Sequence, residues 1–93
     1  MPRSTVRNYD AERFGAIIRR LRTERGWTLA QFAQRANMNP KYLAIMEKGG
    51  NMPSVAALFG FADVFGVEAA DLVREVEQDR NAARAYAREH AKK

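Results

Sequence analysis

The chain has 93 residues, a formal net charge of +5 and a hydrophobic share of 46%, which suits one domain with a modest core. It contains no cysteine, so disulfide frameworks and thiolate metal sites are excluded and a cytoplasmic location is the default expectation. No apolar run approaches the ~20 residues of a membrane span, and the N-terminus lacks the apolar segment of a signal peptide.

Positive charge is concentrated in the first half of the chain. Residues 1–50 carry ten Lys/Arg and four Asp/Glu, a net charge of +6, whereas residues 51–93 carry six and seven, a net charge of −1. A partner with a negatively charged surface, such as the phosphate backbone of nucleic acid, is therefore expected to bind the first half.

The first helix is predicted to follow a flexible arm at residues 1–9, which has no apolar periodicity. Asp10 can cap this helix, which runs to about Glu24, and Gly26 stops it. Its buried stripe follows the i, i+3, i+4, i+7 pattern and consists of Phe14, Ile17, Ile18 and Leu21.

A second helix is predicted over residues 29–36. Thr28 can cap it, and Gln31, three residues later, can complete a capping box by accepting the Thr28 backbone N–H. Trp27 and Phe32 have the spacing of a hydrophobic staple, which fixes the angle at which the chain enters the helix.

A third helix is predicted over residues 40–48. Asn39, only 11 residues after Thr28, can cap it, and Pro40 occupies its first position, where the missing N–H costs nothing. Asn37 tolerates the left-handed backbone that a tight turn between the two helices needs. Two short helices joined by a tight turn in a basic chain predict a DNA-binding helix-turn-helix.

Two further helices are predicted in the second half. Ser54 can cap a helix over residues 55–65, which ends at Gly66, and a fifth helix runs from Glu68 to about residue 74. The charged residues 77–93 form either a helical C-terminal extension or a frayed end. The side chains expected to face the core are Val55, Leu58, Phe61, Ala62 and Phe65 of the fourth helix and Leu72 and Val73 of the fifth. The chain is therefore expected to be all-α, with a helix-turn-helix domain at residues 10–76.

Short motifs occur in a fixed order along residues 12–74. They are Phe14-Gly15, Ile18-Arg19, Leu21-Arg22, Arg25-Gly26-Trp27-Thr28, Phe32-Ala33, Tyr42-Leu43, Met46-Glu47-Lys48-Gly49, Pro53-Ser54, Phe61-Ala62, Phe65-Gly66-Val67 and Leu72. In this order and spacing, the chain resembles the lambda-repressor/Cro-like (Xre-type) helix-turn-helix family. The resemblance implies a compact five-helix domain, a recognition helix at residues 39–48 and, usually, a dimer on a near-palindromic operator.

The third helix is expected to present Lys41, Ala44 and Ile45 to the major groove. Placed at 100° per residue from Leu43, these positions and Lys48 fall away from the buried side of the helix. Lys41 can donate to guanine O6 or N7, and Ala44 or Ile45 can contact a thymine methyl group. Contacts to DNA phosphates are expected from the start of the second helix and from the surroundings of the third. These candidates are the amides of Leu29 and Ala30, the side chains of Arg35, Tyr42 and Lys48, and the amides of Gly50 and Asn51.

Glu47 lies about 40° from Leu43 on the helical wheel. It therefore points inward, where an acidic group needs a partner. The family resemblance implies that this partner is Arg22 of the first helix, in a structural ion pair that ties the first helix to the recognition helix.

A dimer contact is expected on the fourth helix, where Gly60 beside Val64 would let another helix approach closely. Leu72 and Val76 are expected to extend this apolar surface. The acidic and basic residues after residue 50 nearly balance, so two copies would not repel each other there.

No enzyme activity, cofactor or metal site is predicted. His90 has no second ligand at metal spacing, and the chain has no Ser/His/Asp or Cys/His set. The sequence thus predicts a homodimeric, sequence-specific regulator of transcription that binds double-stranded DNA, either as a repressor or as an autoregulator. Two alternatives stay open: the antitoxin half of a toxin–antitoxin pair, with residues 75–93 binding the partner protein, and a nonspecific nucleoid-type or RNA-binding protein.

Overall fold

Five α-helices form the fold of residues 9–91, the part of the chain that this computed structural model describes. They are α1 (Tyr9–Glu24), α2 (Leu29–Ala36), α3 (Pro40–Glu47), α4 (Val55–Phe65) and α5 (Ala69–His90). The predicted all-α, five-helix architecture is confirmed. Within residues 9–91, none of the helices combines the length and the apolar character needed to cross a membrane.

The helix-turn-helix forms through the predicted local hydrogen bonds. Thr28 Oγ1 accepts from the Gln31 amide at 3.1 Å and Gln31 Oε1 accepts from the Thr28 amide at 2.8 Å, so the capping box of α2 is complete. Asn37 ends α2 in the left-handed conformation, with φ 56° and ψ 48°. Asn39 Oδ1 then accepts from the Lys41 amide at 2.8 Å and caps α3. Side chains close to each helix end in sequence therefore define the turn.

Helix α1 begins earlier than predicted. Tyr9 and Asp10 are both helical, so the prediction that Asp10 caps α1 is wrong. The Asp10 carboxylate instead accepts a hydrogen bond from Arg13 at 3.0 Å and lies 3.1 Å from Nε of Arg80 on α5. A contact across 70 positions of sequence thus helps to hold the first turn of α1. Residues 1–8 of the predicted arm lie outside the described residues.

One core receives side chains from all five helices. Its buried members are Phe14, Ile17, Ile18, Leu21, Phe32, Ala33, Leu43, Met46, Phe61, Ala62, Phe65 and Leu72. The Phe32 ring lies near its centre, with ring centroids 5.8 Å from Phe61 and 5.2 Å from Phe65. Such aromatic pairs add ~0.5–1.5 kcal/mol beyond the burial of their area. Because α2 contributes Phe32 and α4 contributes both partner rings, the core fixes the helix-turn-helix against the second half of the domain.

Two of the predicted core positions are wrong. Val55 is 68% exposed and Val73 is 49% exposed. Val55 occupies the first position of α4, before the helix reaches the core. Val73 follows Leu72 directly, and neighbouring positions of a helix point about 100° apart, so only Leu72 reaches the interior.

Helix α5 is one continuous helix of 22 residues, so the segment after Val76 is a helical extension as far as His90. Leu72 enters the core and Val76 packs against it, whereas every residue from 77 to 90 is exposed. Ion pairs attach α5 to α1, including a 2.7 Å contact between Arg20 and Glu75. Arg80 still pairs with Asp10 of α1, and the remaining side chains of this charged extension are exposed.

Candidate nucleic-acid interface

Arg22 connects α1 to α3 and to the segment that immediately precedes α2. Its Nε and Nη2 donate to the two carboxylate oxygens of Glu47 at 2.7 and 2.9 Å, and its Nη1 donates to the Trp27 carbonyl at 2.9 Å. The Arg22 and Glu47 side chains are only 14% and 7% exposed. They form the ion pair that the family resemblance implied. The hydrogen bond that Arg22 donates to the Glu47 carboxylate raises the pKa of Arg22, even though burial acts in the opposite direction. The guanidinium therefore stays charged and keeps α3 in a fixed orientation.

The backbones of α1 and α3 touch at Gly15. A Cβ atom at Gly15 would lie 2.3 Å from the Met46 carbonyl oxygen and 2.8 Å from that of Glu47. No real side chain fits this space, so the crossing depends on the absence of a Cβ. Because α3 packs so closely on this side, its opposite side is the one that is free to meet DNA.

The free side of α3 carries the predicted base contacts. Lys41 is exposed and Ile45 is 42% exposed, whereas Ala44 between them is half-buried. Leu43 and Met46 lie on the other side of the helix and are completely buried. The exposed side thus offers an ammonium group, which suits guanine O6 and N7, next to apolar surface, which suits a thymine methyl group.

The N-terminus of α2 has two backbone N–H groups that are available to a ligand. The Gln31 amide donates to the Thr28 side chain and the Phe32 amide to the Thr28 carbonyl. The first two amides, those of Leu29 and Ala30, have no acceptor among the described residues. Together with the positive end of the helix dipole, they form an arrangement that suits a phosphate oxygen.

Arg35 is held in place by an aromatic ring. Its Cζ atom lies 4.6 Å from the centroid of the Trp27 ring, and the ring itself stacks on Phe65 at 5.8 Å and 13°. Stacking a guanidinium on an aromatic face leaves its N–H groups free to donate within the plane of the guanidinium. Arg35 also lines a shallow polar depression with Gln31 and Gln34. The structure thus presents Arg35 as a pre-oriented cation on the exposed side of α2.

The loop after α3 corrects one predicted phosphate contact. The Gly50 amide donates to the Ile45 carbonyl at 2.9 Å, so it completes the C-terminus of α3 and the prediction that it binds phosphate is wrong. Lys48 is exposed, whereas Tyr42 and Asn51 are half-buried. All three residues therefore keep some surface exposed to solvent.

The structure also corrects the predicted dimer surface. Leu72 is 1% exposed, so the prediction that it supplies dimer surface is wrong, because the start of α5 closes the core. Val64 and Val76 are partly buried against the core, and a Cβ atom at Gly60 would lie 3.5 Å from Cε of Met38. This side of α4 therefore packs in part on the helix-turn-helix.

Sequence analysis missed Phe59 as a surface residue of interest. Phe59 is 57% exposed and lies four positions after the exposed Val55. The sequence contained a usable indication, because Phe59 lies outside the apolar stripe predicted for α4. A large aromatic residue outside such a stripe must face solvent or a partner.

Known proteins resemble this chain in both sequence and fold. A family model described as a helix-turn-helix domain matches residues 13–76. The HTH-type transcriptional regulator RamB of Mycobacterium tuberculosis is 40% identical over 55 residues, which cover 59% of this chain and 12% of RamB. The HTH-type transcriptional regulator DdrOP3 of Deinococcus deserti is 37% identical over 60 residues, which cover 64% of this chain and 46% of DdrOP3. The chain thus spans less than half the length of these two relatives.

A solved structure extends the likeness to the arrangement of the helices. The clp gene regulator ClgR of Corynebacterium glutamicum superposes with a TM-score of 0.68 and 28% sequence identity, covering 75% of this chain and 91% of that one. The family model covers the helix-turn-helix, the Arg22–Glu47 pair and most of the core. The chain therefore belongs to the Xre-type helix-turn-helix family.

Proposed function

We propose that this protein binds specific duplex DNA sequences as a homodimer and regulates transcription, as a repressor or as an autoregulator. The observation that carries the proposal is the anchoring of α3, whose buried side is fixed by Arg22 and Gly15 and whose other side exposes Lys41 and Ile45. The net charge of +6 on residues 1–50 supports DNA as the partner. Residues 10–76 form the proposed DNA-binding domain, and residues 77–93 form its C-terminal extension.

In the proposed complex α3 lies in the major groove. Lys41 donates to a guanine, and Ala44 and Ile45 contact thymine methyl groups. Phosphates are bound by the amides of Leu29, Ala30 and Asn51 and by the side chains of Arg35, Tyr42 and Lys48. One such helix offers few base contacts, so sequence specificity requires two protomers on half-sites ~34 Å apart.

Binding to duplex DNA should weaken steeply as salt is added. Each phosphate contact contributes about −0.9 to the slope of log K against log salt concentration, so a dimer with at least two contacts per protomer should give a slope of about −4 or steeper. Fluorescence anisotropy titrations at several salt concentrations measure this slope, with a duplex selected from random-sequence DNA as the probe. A flat salt response would remove DNA binding from the proposal.

Sequence specificity is tested by comparing that selected duplex with scrambled DNA of equal length. Specific regulators prefer their sites by about 10³-fold or more at physiological salt. A ratio near one would instead favour a nonspecific nucleoid-type protein.

Lys41→Ala and Arg35→Ala should have different effects on DNA binding. If Lys41 donates to a base, Lys41→Ala costs ~1–3 kcal/mol and relaxes the preference at one base position. If Arg35 binds a phosphate, Arg35→Ala weakens all sequences alike. Titrations on a panel of operators with single-base changes distinguish the two.

The matched control for this pair is Arg84→Ala, because Arg84 is an exposed cation on the C-terminal extension whose loss changes the net charge equally. We expect Arg84→Ala to change DNA affinity and base preference little. Uniform weakening by Lys41→Ala would make Lys41 a phosphate contact instead of a base contact.

An antitoxin-type function is the second candidate, and the exposed extension of α5 is the observation that favours it. The 14 residues from 77 to 90 are all exposed, so they offer a helix to a protein partner. Co-purification of this chain with the product of an adjacent gene, lost when residues 77–93 are removed, would support this candidate. Retention of the partner after that truncation would contradict it.

A further inference from the structure

Gly50 lies directly against Ile45, the exposed residue of α3 that is proposed to contact a thymine methyl group. A Cβ atom at Gly50 would lie 2.6 Å from Cγ2 of Ile45 and 3.2 Å from the Ile45 carbonyl oxygen. Carbon atoms pack favourably at about 3.5–4.0 Å, so no Cβ atom fits there while Ile45 keeps its orientation. Both residues are exposed, so this close contact lies at the surface of the domain.

The loop that contains Gly50 is held in place on two sides. The Gly50 amide donates to the Ile45 carbonyl at 2.9 Å, and the Gly49 amide donates to the Met46 carbonyl at 2.9 Å. Gly49 has a φ of 85° and packs on α1, where a Cβ atom would lie 2.9 Å from Cα of Glu12. The loop cannot move away from α3 without losing these contacts. A side chain at position 50 would therefore act mainly on the side chain of Ile45.

Ile45 can respond to such a contact only by rotation about its Cα–Cβ bond. Cγ2 is attached directly to the branched Cβ atom, so its position is fixed by χ1 alone. An isoleucine in a helix has one strongly preferred χ1 rotamer. Rotation to another staggered rotamer turns both branches by about 120°. The apolar surface that Ile45 offers to DNA would then point in a different direction.

We propose that Gly50 is a positioning residue for DNA recognition, because the absence of a side chain at this position fixes the rotamer in which Ile45 meets a base. The role of Gly50 rests on the proposed DNA-binding function, in which Ile45 contacts a thymine methyl group. Gly50 acts through Ile45 and needs no contact with DNA of its own. It thereby helps to determine the base preference at one operator position.

The rotamer of Ile45 can be measured without DNA. The chain contains three isoleucines, and the other two, Ile17 and Ile18, are buried in the core, so isotope labelling of isoleucine gives a simple NMR spectrum. Three-bond couplings to the Cγ2 methyl group report χ1. The wild type should show one dominant rotamer of Ile45, and Gly50→Ala should shift the population to another. An unchanged χ1 in Gly50→Ala, or an even mixture of rotamers in the wild type, would overturn the proposal.

Gly50→Ala should change the base preference at a single operator position. That position is identified as the one where Ile45→Ala has its effect on a panel of operators with single-base changes. A mismatched base pair lowers affinity by roughly 5- to 150-fold, so Gly50→Ala should reduce the preference there by about fivefold or more. The position contacted by Lys41 should be affected little. Uniform weakening at all positions would overturn the proposal, because it would indicate displacement of α3 as a whole.

Double variants separate the positioning of Ile45 from damage to the loop. Ile45→Ala removes Cγ2, so the addition of Gly50→Ala should change base preference no further. Ile45→Val keeps both branches at Cβ and should still respond to Gly50→Ala. Equal responses in these two backgrounds would contradict the proposal. The matched glycine control is Gly60→Ala, whose Cβ atom would meet only Cε of Met38, at 3.5 Å, and which should leave χ1 of Ile45 and the base preferences unchanged.

Folding of the variants is checked by thermal unfolding. The φ angle of Gly50 is not positive, so alanine is compatible with the backbone there, and Gly50→Ala should remain folded. If it unfolds, the variant that combines Ile45→Ala with Gly50→Ala should fold, because it lacks the close contact between the two side chains. Unfolding of both variants would overturn the proposal.

Failure of the positioning role and failure of DNA binding give different results. If the wild type binds selected operators specifically while Gly50→Ala keeps the same χ1 and the same base preferences, the role of Gly50 is wrong and the proposed function stands. If the wild type has no base preference, the proposed function is wrong and Gly50 has no role in recognition. The NMR couplings, measured without DNA, still show in that case whether Gly50 fixes the rotamer of Ile45.

Discussion

Glu47→Ala should lower the free energy of unfolding by about 3–5 kcal/mol, because it leaves the Arg22 guanidinium buried without its charged partner. Arg22 is only 14% exposed, and it uses Nε and Nη2 for Glu47. The pair joins α1 to α3, so the orientation of α3 should also change and DNA affinity should fall. Urea denaturation followed by circular dichroism gives the stability change, and anisotropy gives the affinity.

A double-mutant cycle separates the ion pair from other effects of substitution. Arg22→Met and Glu47→Leu together should cost much less than the sum of the single variants, because neither charge is then left alone. Arg20→Ala is the exposed control: its 2.7 Å pair with Glu75 joins side chains 46% and 43% exposed, and pairs of this kind contribute about 0–1 kcal/mol. Additive single variants would contradict coupling between Arg22 and Glu47.

Gly15→Ala should be the second strongly destabilising substitution. The new Cβ atom would meet the Met46 and Glu47 carbonyl oxygens at 2.3 and 2.8 Å. Backbone atoms cannot turn aside like the end of a side chain, so α1 and α3 must move apart. Overpacking of this kind costs about 1–3 kcal/mol and occasionally more, which outweighs the ~1 kcal/mol that alanine gains over glycine in a helix. Displacement of α3 should weaken DNA binding as well.

Gly60→Ala is the matched control for the Gly15 variant. Gly60 also lies inside a helix, but its Cβ atom would meet only Cε of Met38, at 3.5 Å, which is an ordinary contact. We expect a gain in stability of about 0.5–1 kcal/mol from the helix preference of alanine. Thermal and urea unfolding of the two variants should therefore shift in opposite directions. If both variants were destabilised to the same extent, the close approach of the α3 carbonyl oxygens to Gly15 would not be the cause of the destabilisation by Gly15→Ala.

The helix ends were predictable because their determinants are local. Thr28 and Gln31 are three positions apart, and Asn39 caps an amide two positions on, so sequence alone specifies these bonds. The start of α1 was mispredicted because Asp10 also contacts Arg80 of α5. A contact between residues so far apart in sequence does not appear in any local pattern.

The candidate nucleic-acid interface could be predicted only in part, because several of its contacts depend on tertiary structure. Helical periodicity places Glu47 on the inner side of α3, but only the family resemblance supplied Arg22 as its partner. Periodicity also could not show that the Gly50 amide binds Ile45 or that Val55 of α4 faces solvent. These outcomes depend on how α3 ends and on where α4 meets the core, and both are set by packing between helices.

The division of α3 into an anchoring side and a free side has a consequence for the evolution of this protein. Leu43, Met46 and Glu47 secure the helix, whereas Lys41 and Ile45 have no part in the core. In the proposed DNA complex these two residues contact bases, so substitutions at them would change the operator that the protein binds with little loss of folding stability. Gene duplication followed by such substitutions would give regulators that bind different operators while they keep the same scaffold.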